Sequence, residues 1–597
     1  MEDRVFDLDR SSFPDQEMYA NVVVSSMRDD LGTEHVLSRF GDSQWDLSPY
    51  FEQSNVPESM KTIRWPSNLP IDLLNDTKAA IYAWFTDGRP GYAPANARTV
   101  FVTAVNSGPL LQWLASHGVT CYSQIKPLHL SSYVQVCREQ KLRPRAIKAR
   151  VEIVDLAWTF RERLRRAASK NPWGESDLAS FCGLSGWETR ASGDTGVGKT
   201  PIIPRDAQSA LFIHSESMLD QANDLLDRRD AGELGSSSDP MRKLRDSCLY
   251  LLSITSGMRN DEAIGVEIGA GRKETRDGVD YHWVTSVEHK TGKGRVEYLV
   301  PELTLKVIDT LERYARPLQV ALQQEINVLE TTIAAQGYQT DRRTPLKRLA
   351  QARKDSRRLF LGVIYGKFNQ ITALSGIASR VAFLRLASDV RIDWKLSPHQ
   401  CRRTYARTVV ESQMGRQSLV FLKWQFKHSS ISMSQLYASN PAQDPTLYED
   451  ILSEMLEFKK ELLHGWGDTD MPLSGGAGRK VMEMRASAIP NRRLLIENTA
   501  AQINIRATGH GWCIAQEAGC GGAGLYESTR CVDCKNSVID QEHLQVWRGI
   551  HEQHLEMLEL DDLGPVANER VRRDLTLSAK VIREFGVSLD HAHVAPP

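Results

Sequence analysis

Residues 396–437 read LSPHQCRRTYARTVVESQMGRQSLVFLKWQFKHSSISMSQLY, and the interpretation of the whole chain starts from this stretch. His399 and Arg402 are three positions apart, so on a helix they lie on neighbouring turns of one face. His428 begins a second polar segment, and Tyr437 ends it. Guanidinium and imidazole groups neutralise a phosphodiester and move its protons, while a phenol can attack it as a nucleophile. The stretch therefore predicts half of a site for phosphoryl transfer.

The other half is predicted upstream, in KLRDSCLYLLSITSGMRNDEAIGVEIG (243–269). Its apolar spacing predicts a buried helix that ends at Gly257 and presents Arg259 just beyond the turn. A short second helix follows, with Glu262 facing back toward the arginine. Arg259 is either a surface salt-bridge partner or a phosphate ligand, and the stretch at 396–437 favours the phosphate ligand.

Residues 281–300 predict a β-hairpin. Apolar and polar residues alternate on both sides of KTGKG, which is typical of two strands joined by a tight turn. Lys290 lies at the tip of this hairpin. It is either a solubilising charge or, on a hairpin lying over DNA, a general acid for a leaving oxygen.

Six chemically active residues follow one another in a recognisable order. They are Arg259, Lys290, His399, Arg402, His428 and Tyr437. Around them, TSGMRNDEAIGV, SPHQCRRTYA and HSSISMSQLY resemble the three conserved boxes of the tyrosine recombinase (phage integrase) family. The resemblance covers about 240–445 closely and 75–227 loosely. Lys427 and Arg403 depart from the residues common in the family, but neither change removes a reacting group.

The resemblance implies a role for each side chain in breaking and rejoining a DNA strand. These roles are 3′-phosphotyrosyl nucleophile for Tyr437, phosphate binding for Arg259 and Arg402, leaving-group protonation for Lys290, proton transfer at the tyrosine for His399, phosphate hydrogen bonding for His428 and support for Glu262. Enzymes of this family need no metal or nucleotide for the chemistry. Four protomers usually assemble on two specific double-stranded DNA sites, sometimes with other recombinases or accessory proteins. The implied function is integration, excision or transposition of a mobile element.

We expect a mainly α chain with a small antiparallel β-sheet (α+β), since 597 residues exceed one core. The expected organisation is a region of unreadable role at 1–70, a helical core-binding domain at 71–227 and a catalytic domain at 241–445. A helical insertion occupies 314–358, and 446–597 form a C-terminal extension. In the family, the two main domains form a C-shaped clamp on DNA.

Two basic clusters are candidates for DNA contact. One is on the predicted helix 143–170, and it is either a solvated bundle face or a grip on the DNA backbone. The other is on the second arm of the insertion, and it is a solvated coil or an extra DNA or protomer contact. The candidate DNA-binding residues are Arg143, Arg145, Lys148, Arg150, Arg342, Arg343, Lys347 and Arg348.

The nine cysteines of the chain indicate free thiols or metal ligands, not a disulfide framework. Four of them, Cys513, Cys520, Cys531 and Cys534, follow the spacing C-x6-C-x10-C-x2-C, which suits tetrahedral zinc. The rival interpretation is four unligated thiols. His510 or His543 can replace one ligand. A closed four-ligand site would fold a small zinc-knuckle-like module and would not catalyse. Cysteine-bearing tails of this kind are similar to those of integrases from transposons and integrative elements.

Residues 193–200, GDTGVGKT, match the phosphate-loop pattern but lack the strand before it and the helix after it. We therefore expect no nucleotide site there.

The net charge of −1 gives no overall attraction to nucleic acid, so DNA binding depends on local clusters of basic residues. No apolar run approaches the roughly 18–20 residues of a membrane span, and MEDRVFDLDR does not resemble a signal peptide. We expect a cytoplasmic, nucleoid-associated protein of bacterial type.

Two other functions share these features. The chain could be a catalytically silent DNA-binding partner of another recombinase, although the intact catalytic set argues against this. It could also be a topoisomerase IB-like enzyme, which uses the same chemistry to relax DNA without sequence preference.

Overall fold

The computed structural model describes most of the chain in thirteen segments. These segments are residues 20–51, 56–174, 176–184, 200–276, 279–288, 294–335, 343–364, 370–413, 445–467, 470–485, 492–516, 528–560 and 564–589. Within them the chain is mostly helical, with small antiparallel sheets, as the sequence predicts. In the same segments, no helix is both long and apolar enough to cross a membrane.

The helices are numbered in chain order. They are α1 (Ile71–Thr86), α2 (Ala97–Ser116), α3 (Pro127–Glu139), α4 (Pro144–Thr159), α5 (Leu178–Phe181), α6 (Arg205–Asp220), α7 (Ala222–Asp230), α8 (Asp239–Ser256), α9 (Asn260–Ile264), α10 (Glu302–Ala335), α11 (Arg343–Asp355), α12 (Gly376–Val390), α13 (Pro398–Gln413), α14 (Pro445–Gly467), α15 (Gly476–Arg485), α16 (Arg492–Gln502), α17 (Leu544–Leu558) and α18 (Pro565–Glu584).

The strands form short antiparallel sheets. The pairs are β1 (Val23–Arg28) with β2 (Glu34–Arg39), β3 (Gln44–Asp46) with β4 (Thr62–Arg64), and β8 (Leu361–Ile364) with β9 (Gln370–Ala373). There are also two three-stranded sheets. The first consists of β5 (Gly271–Arg276), β6 (Val279–Glu288) and β7 (Gly294–Val300). The second consists of β10 (Arg506–Ala507), β11 (Trp512–Cys513) and β12 (Ser537–Val538).

The first hydrophobic core joins the N-terminal strands to helices α1–α4. Trp45, on β3, is 4.9 Å from Trp65, measured between ring centroids, and both pack with the buried face of α1. Lys78, on α1, lies among these rings and donates hydrogen bonds to the backbone oxygens of Phe40 and Asp42. Residues of the predicted N-terminal region therefore complete the core of the helical region.

Helix α4 is shorter than the helix predicted over 143–170. It begins with Pro144, whose fixed φ suits a first helical position, and it ends at Thr159. A 3₁₀ turn at Arg161–Arg163 follows and carries the chain to the buried Leu164. The basic run continues across this turn. Arginine is one of the better helix formers, so tertiary packing and not helix propensity sets the end of α4.

The second core is built around α8, whose residues are buried along most of its length. Helices α6 and α7 pack into this core, although 205–227 was expected to belong with the first helical region. The backbone amide of Ile203, just before α6, donates to Oγ1 of Thr404 on α13 over 3.0 Å. In packing terms, the second body therefore begins near residue 203.

The β-hairpin predicted at 281–300 is confirmed, because β6 and β7 pair antiparallel from His282–Val300 to Glu288–Gly294. Its tip, 289–293, lies outside the described residues. The predicted helical hairpin at 314–358 is also present as α10 and α11. Its first arm begins earlier than expected, at Glu302, because the apolar stripe of α10 extends back along the second core.

The C-terminal part of the chain packs in two places. Elements α14, α15 and β10–β12 extend the second core through Phe458, Trp512 and Val538. Helices α17 and α18 form an antiparallel pair around a smaller core that includes Trp547 and Ile582. The helix predicted after the cysteine-bearing segment is therefore confirmed as α17.

Candidate active site

The turn that presents Arg259 is shaped by Gly257. Helix α8 ends there, and Gly257 adopts a φ of +67°, which is the left-handed conformation that favours glycine. A Cβ atom at this position would lie 2.5 Å from Cδ1 of Tyr405 on α13. Any larger residue would therefore displace the Tyr405 ring at the point where the chain turns toward Arg259.

Arg259 and Glu262 hold each other at the start of α9. The Arg259 backbone amide donates to Oε2 of Glu262 over 2.6 Å, and its Nη1 donates to Oε1 over 2.7 Å. The Glu262 side chain is only 3% exposed, while that of Arg259 is 21% exposed. A buried carboxylate thus orients a guanidinium that still reaches the surface. This confirms the sequence-based expectation that Glu262 faces back toward the arginine.

The β-hairpin is tied to the same carboxylate. Tyr298, on β7, is fully buried and donates its hydroxyl hydrogen to Oε2 of Glu262 over 2.8 Å. Ser286, on β6, donates to the backbone oxygen of Glu262 over 2.7 Å. These two hydrogen bonds connect the hairpin to the Arg259 turn, and both strands lead to the tip that contains Lys290.

Arg402 comes to this turn from helix α13. Its Nη1 donates to the backbone oxygen of Gly257 over 3.0 Å, two residues before Arg259. Its Nε donates to Oδ2 of Asp450 on α14 over 2.6 Å. The preceding residue, Cys401, is buried, and burial raises the pKa of its thiol. That thiol therefore stays neutral beside the arginine.

Three ion pairs align α14 with α13. Arg402 contacts Asp450, Arg403 contacts Glu454 at 2.7 Å, and Arg407 contacts Glu461. Arg403 also donates to the backbone oxygen of Thr200 over 2.6 Å. Thr200 ends the predicted glycine-rich loop, whose other residues lie outside the described ones.

The structure brings together one part of the predicted catalytic set. Arg259, Glu262 and Arg402 meet around the turn at Gly257. His399 lies exposed in the first turn of the helix that carries Arg402. The remaining predicted residues, Lys290, His428 and Tyr437, lie outside the described residues.

Sequence reasoning missed Tyr298 and Asp450. Tyr298 occupies an inward position of the hairpin, between Val296 and Val300, and a buried tyrosine hydroxyl needs an acceptor. That requirement is the signal that identifies it. Asp450 has no comparable signal, because its role depends on the packing of α14 against α13.

The predicted DNA-contacting residues of the first body lie at or near the start of α4. Arg143 and Arg145 are exposed, whereas Lys148 and Arg150 are half-buried. Arg150 also contacts Sγ of Cys137 on α3, at 4.0 Å. Arg143 and Arg145 are therefore the members of this group with the best access to an external phosphate.

The predicted basic arm of the insertion contacts this same chain. Lys347 forms ion pairs with Asp46 and Glu58 of the N-terminal region, the second at 3.7 Å. Arg348 donates from Nε to Glu325 over 2.6 Å. Arg343 is exposed, and Arg342 lies outside the described residues. Because carboxylates of the chain pair with Lys347 and Arg348, these two residues bridge elements of the protein in this structure.

Three of the four predicted zinc ligands lie among the described residues. Cys513, Cys531 and Cys534 are not in disulfides, and Cys520 lies outside the described residues. Among the residues that were placed, no group of three or more histidine, cysteine or acidic side chains is suited to hold a metal. His510 is buried, and burial lowers its pKa to about 4. The zinc site stays a prediction from the sequence, and metal analysis of the purified protein tests it.

Comparison with known proteins gives matches among solved structures only. No protein-family model and no curated protein matches the chain. The structure is similar to the Tn1549 transposon integrase in complex with a circular intermediate DNA, at 15% identity and a TM-score of 0.28, over 56% of this chain and 88% of that one. It is also similar to XerA recombinase, at 12% identity and a TM-score of 0.18, over 57% and 90% of the two chains. Similarities at such TM-scores carry no argument, so the functional proposal below depends on the motifs around Arg259, Arg402 and Tyr437.

Proposed function

We propose that this chain is a site-specific DNA recombinase of the tyrosine type. It would cut and rejoin specific double-stranded sites through a 3′-phosphotyrosyl intermediate, for integration, excision or transposition of a mobile element. The observation that carries the proposal is the meeting of Arg259 and Arg402 at Gly257, since Arg402 hydrogen-bonds the turn that presents Arg259. Two arginines at one turn suit a phosphate that gains charge during the reaction.

The proposed reaction uses this chain's own residues at every step. Tyr437 attacks the scissile phosphorus, and the 5′-oxygen leaves with a proton from Lys290. The phosphodiester energy is kept in the new phosphotyrosine, so rejoining needs only attack by a 5′-hydroxyl. Arg259 and Arg402 hold the non-bridging oxygens throughout, a bidentate task that lysine performs poorly. His428 hydrogen-bonds the phosphate.

The fixed part of the site has a defined task in this proposal. Glu262 holds Arg259 through two hydrogen bonds, and Tyr298 holds Glu262. A charge-binding group that is oriented before the reaction needs no reorganisation as charge develops. His399 stands exposed on α13, where it can assist proton transfer at Tyr437. The two bodies would close around duplex DNA, and four protomers would assemble on two sites.

Covalent trapping on DNA tests the proposal. The protein is incubated with nicked duplexes made from the ends of its own genetic element, denatured, and separated by electrophoresis. We expect a slowly migrating protein–DNA band that disappears in Tyr437→Phe. Tyr92→Phe is the matched control, because Tyr92 is an exposed tyrosine of the first body, and it should keep the band.

Three outcomes contradict the proposal. A band that survives Tyr437→Phe would assign the nucleophile elsewhere. Tight DNA binding without a band on any end would favour a silent accessory protein. Relaxation of any supercoiled plasmid, without sequence preference, would favour a topoisomerase IB-like enzyme.

A further inference from the structure

One anion of the chain already contacts the proposed phosphate-binding arginine. Oδ2 of Asp450 accepts a hydrogen bond from Nε of Arg402 over 2.6 Å. The Arg402 side chain is 3% exposed, whereas that of Asp450 is 53% exposed. The carboxylate therefore stands at the boundary between the buried guanidinium and solvent.

A carboxylate and a phosphodiester compete for the same donors. A guanidinium binds both anions with its N–H groups in a planar fork, and one N–H in a short, linear bond serves one acceptor at a time. We propose that Asp450 blocks Arg402 in the DNA-free protein and that the scissile phosphate must displace it. This inference rests on the proposed function, because it concerns the regulation of the same site.

The position of Asp450 makes displacement easy. It lies near the start of α14, where its side chain is more than half exposed. Further along, α14 is held on α13 by the buried Phe458 and by the pairs of Glu454 and Glu461 with Arg403 and Arg407. A rotation of the Asp450 side chain would release Nε of Arg402 from this hydrogen bond while the rest of the helix stays docked.

The same helix offers a matched control. Glu461 also forms an ion pair with an arginine of α13, and its side chain is 56% exposed, close to the value for Asp450. Its partner, Arg407, has no assigned role in the proposed reaction. Glu461→Gln therefore removes an equal charge and an equal contact between the two helices, away from the phosphate-binding group.

The first measurement is the rate of covalent complex formation on a nicked duplex. We expect Asp450→Asn to react about fivefold faster than the native protein, because a partly exposed ion pair contributes about 1 kcal/mol. Glu461→Gln should react at the native rate. An unchanged rate in Asp450→Asn would overturn the proposal. A slower rate would also overturn it, since Asp450 would then orient Arg402 for catalysis.

The second measurement does not depend on cleavage. Inorganic phosphate is titrated into the full-length protein by calorimetry. Asp450→Asn should bind phosphate about fivefold more tightly than the native protein. This gain in phosphate affinity should vanish in the double variant that also carries Arg402→Gln. Equal affinity would refute the role of Asp450 even if strand cleavage occurs. Conversely, a gain in phosphate affinity without any strand cleavage would support the role of Asp450 at Arg402 and contradict the proposed recombinase function. Asp450→Ser, checked by its melting temperature, repeats the test if the asparagine variant is poorly folded.

Discussion

Tyr298 donates its hydroxyl hydrogen to Oε2 of Glu262 over 2.8 Å, and the same carboxylate oxygen accepts the backbone amide of Arg259. One buried carboxylate therefore connects the hairpin that carries Lys290 to the turn that carries Arg259. Since the proposed reaction needs both residues at one phosphate, the relative placement of general acid and phosphate ligand depends on this connection.

Tyr298→Phe should slow strand cleavage about tenfold and leave DNA binding nearly unchanged. The change removes one hydrogen bond to a buried charge, which contributes about 1.5–3 kcal/mol, and part of that loss loosens the hairpin. Cleavage is followed on a nicked duplex and binding by fluorescence anisotropy. Tyr281→Phe, on the neighbouring strand β6, is the control and should cleave at the native rate. If Tyr298→Phe cleaves at the native rate, the hydrogen bond between the hairpin and Glu262 does not contribute to cleavage.

Arg259→Ala and Arg402→Ala should each abolish strand cleavage yet keep most of the DNA affinity. Binding of this kind is spread over many phosphate contacts, so the loss of one contact changes it little. The two quantities are measured on the same duplex at one salt concentration. Arg28→Ala, which removes an exposed cation of β1, serves as the control for a general loss of positive charge. If affinity falls in step with cleavage, the two arginines bind DNA without a special role in the reaction.

Asp30→Asn should loosen the contact between the N-terminal hairpin and the insertion. Arg353, on α11, donates to both carboxylate oxygens of Asp30, at 2.9 and 2.8 Å, and this contact lowers the pKa of Asp30. The rate of amide hydrogen exchange should rise in β1 and β2 and stay constant in α8. Glu233→Gln removes another exposed ion pair, with Arg228, and should leave all three elements unchanged. Unaltered exchange in β1 and β2 would mean that apolar contacts alone hold the hairpin.

Lys78→Met should remove a pH dependence from the free energy of unfolding. Burial lowers the pKa of Lys78 to about 8, below the 10.5 of a free lysine. Between pH 8 and 10.5 the unfolded chain binds more protons than the folded chain, so stability rises with pH in this window and is lost as pH falls through 8. As pH rises from 8 to 10.5, the free energy of unfolding of the native protein should increase by about 3 kcal/mol relative to that of the variant. Denaturant unfolding of both proteins at several pH values measures this difference, and parallel curves would contradict it.

The elements that lead to Arg259 and to Lys290 follow from local patterns in the sequence. The apolar run before Gly257 predicts α8 and its end, and the alternation on both sides of KTGKG predicts β6 and β7. Both patterns report which side of an element is buried. They do not report which core receives it, and this is why α6 and α7 were expected to pack with the first body.

Contacts between distant residues are beyond such patterns. Lys347 and Arg348 form a basic run in the sequence, but their acidic partners are supplied by packing. Asp450 likewise meets Arg402 only after α14 docks on α13. The strands around Trp45 and Trp65 are three residues long, which is too short for alternation to stand out.

The burial of Trp45 and Trp65 against α1 determines how this part of the chain can be divided in experiments. A segment that carries its own core would tolerate removal. Here the N-terminal strands and the helical region share one core, so neither is a separate module. A truncated protein that begins at α1 would therefore expose the apolar face that these tryptophans cover, so residues 20–184 have to be produced as one piece.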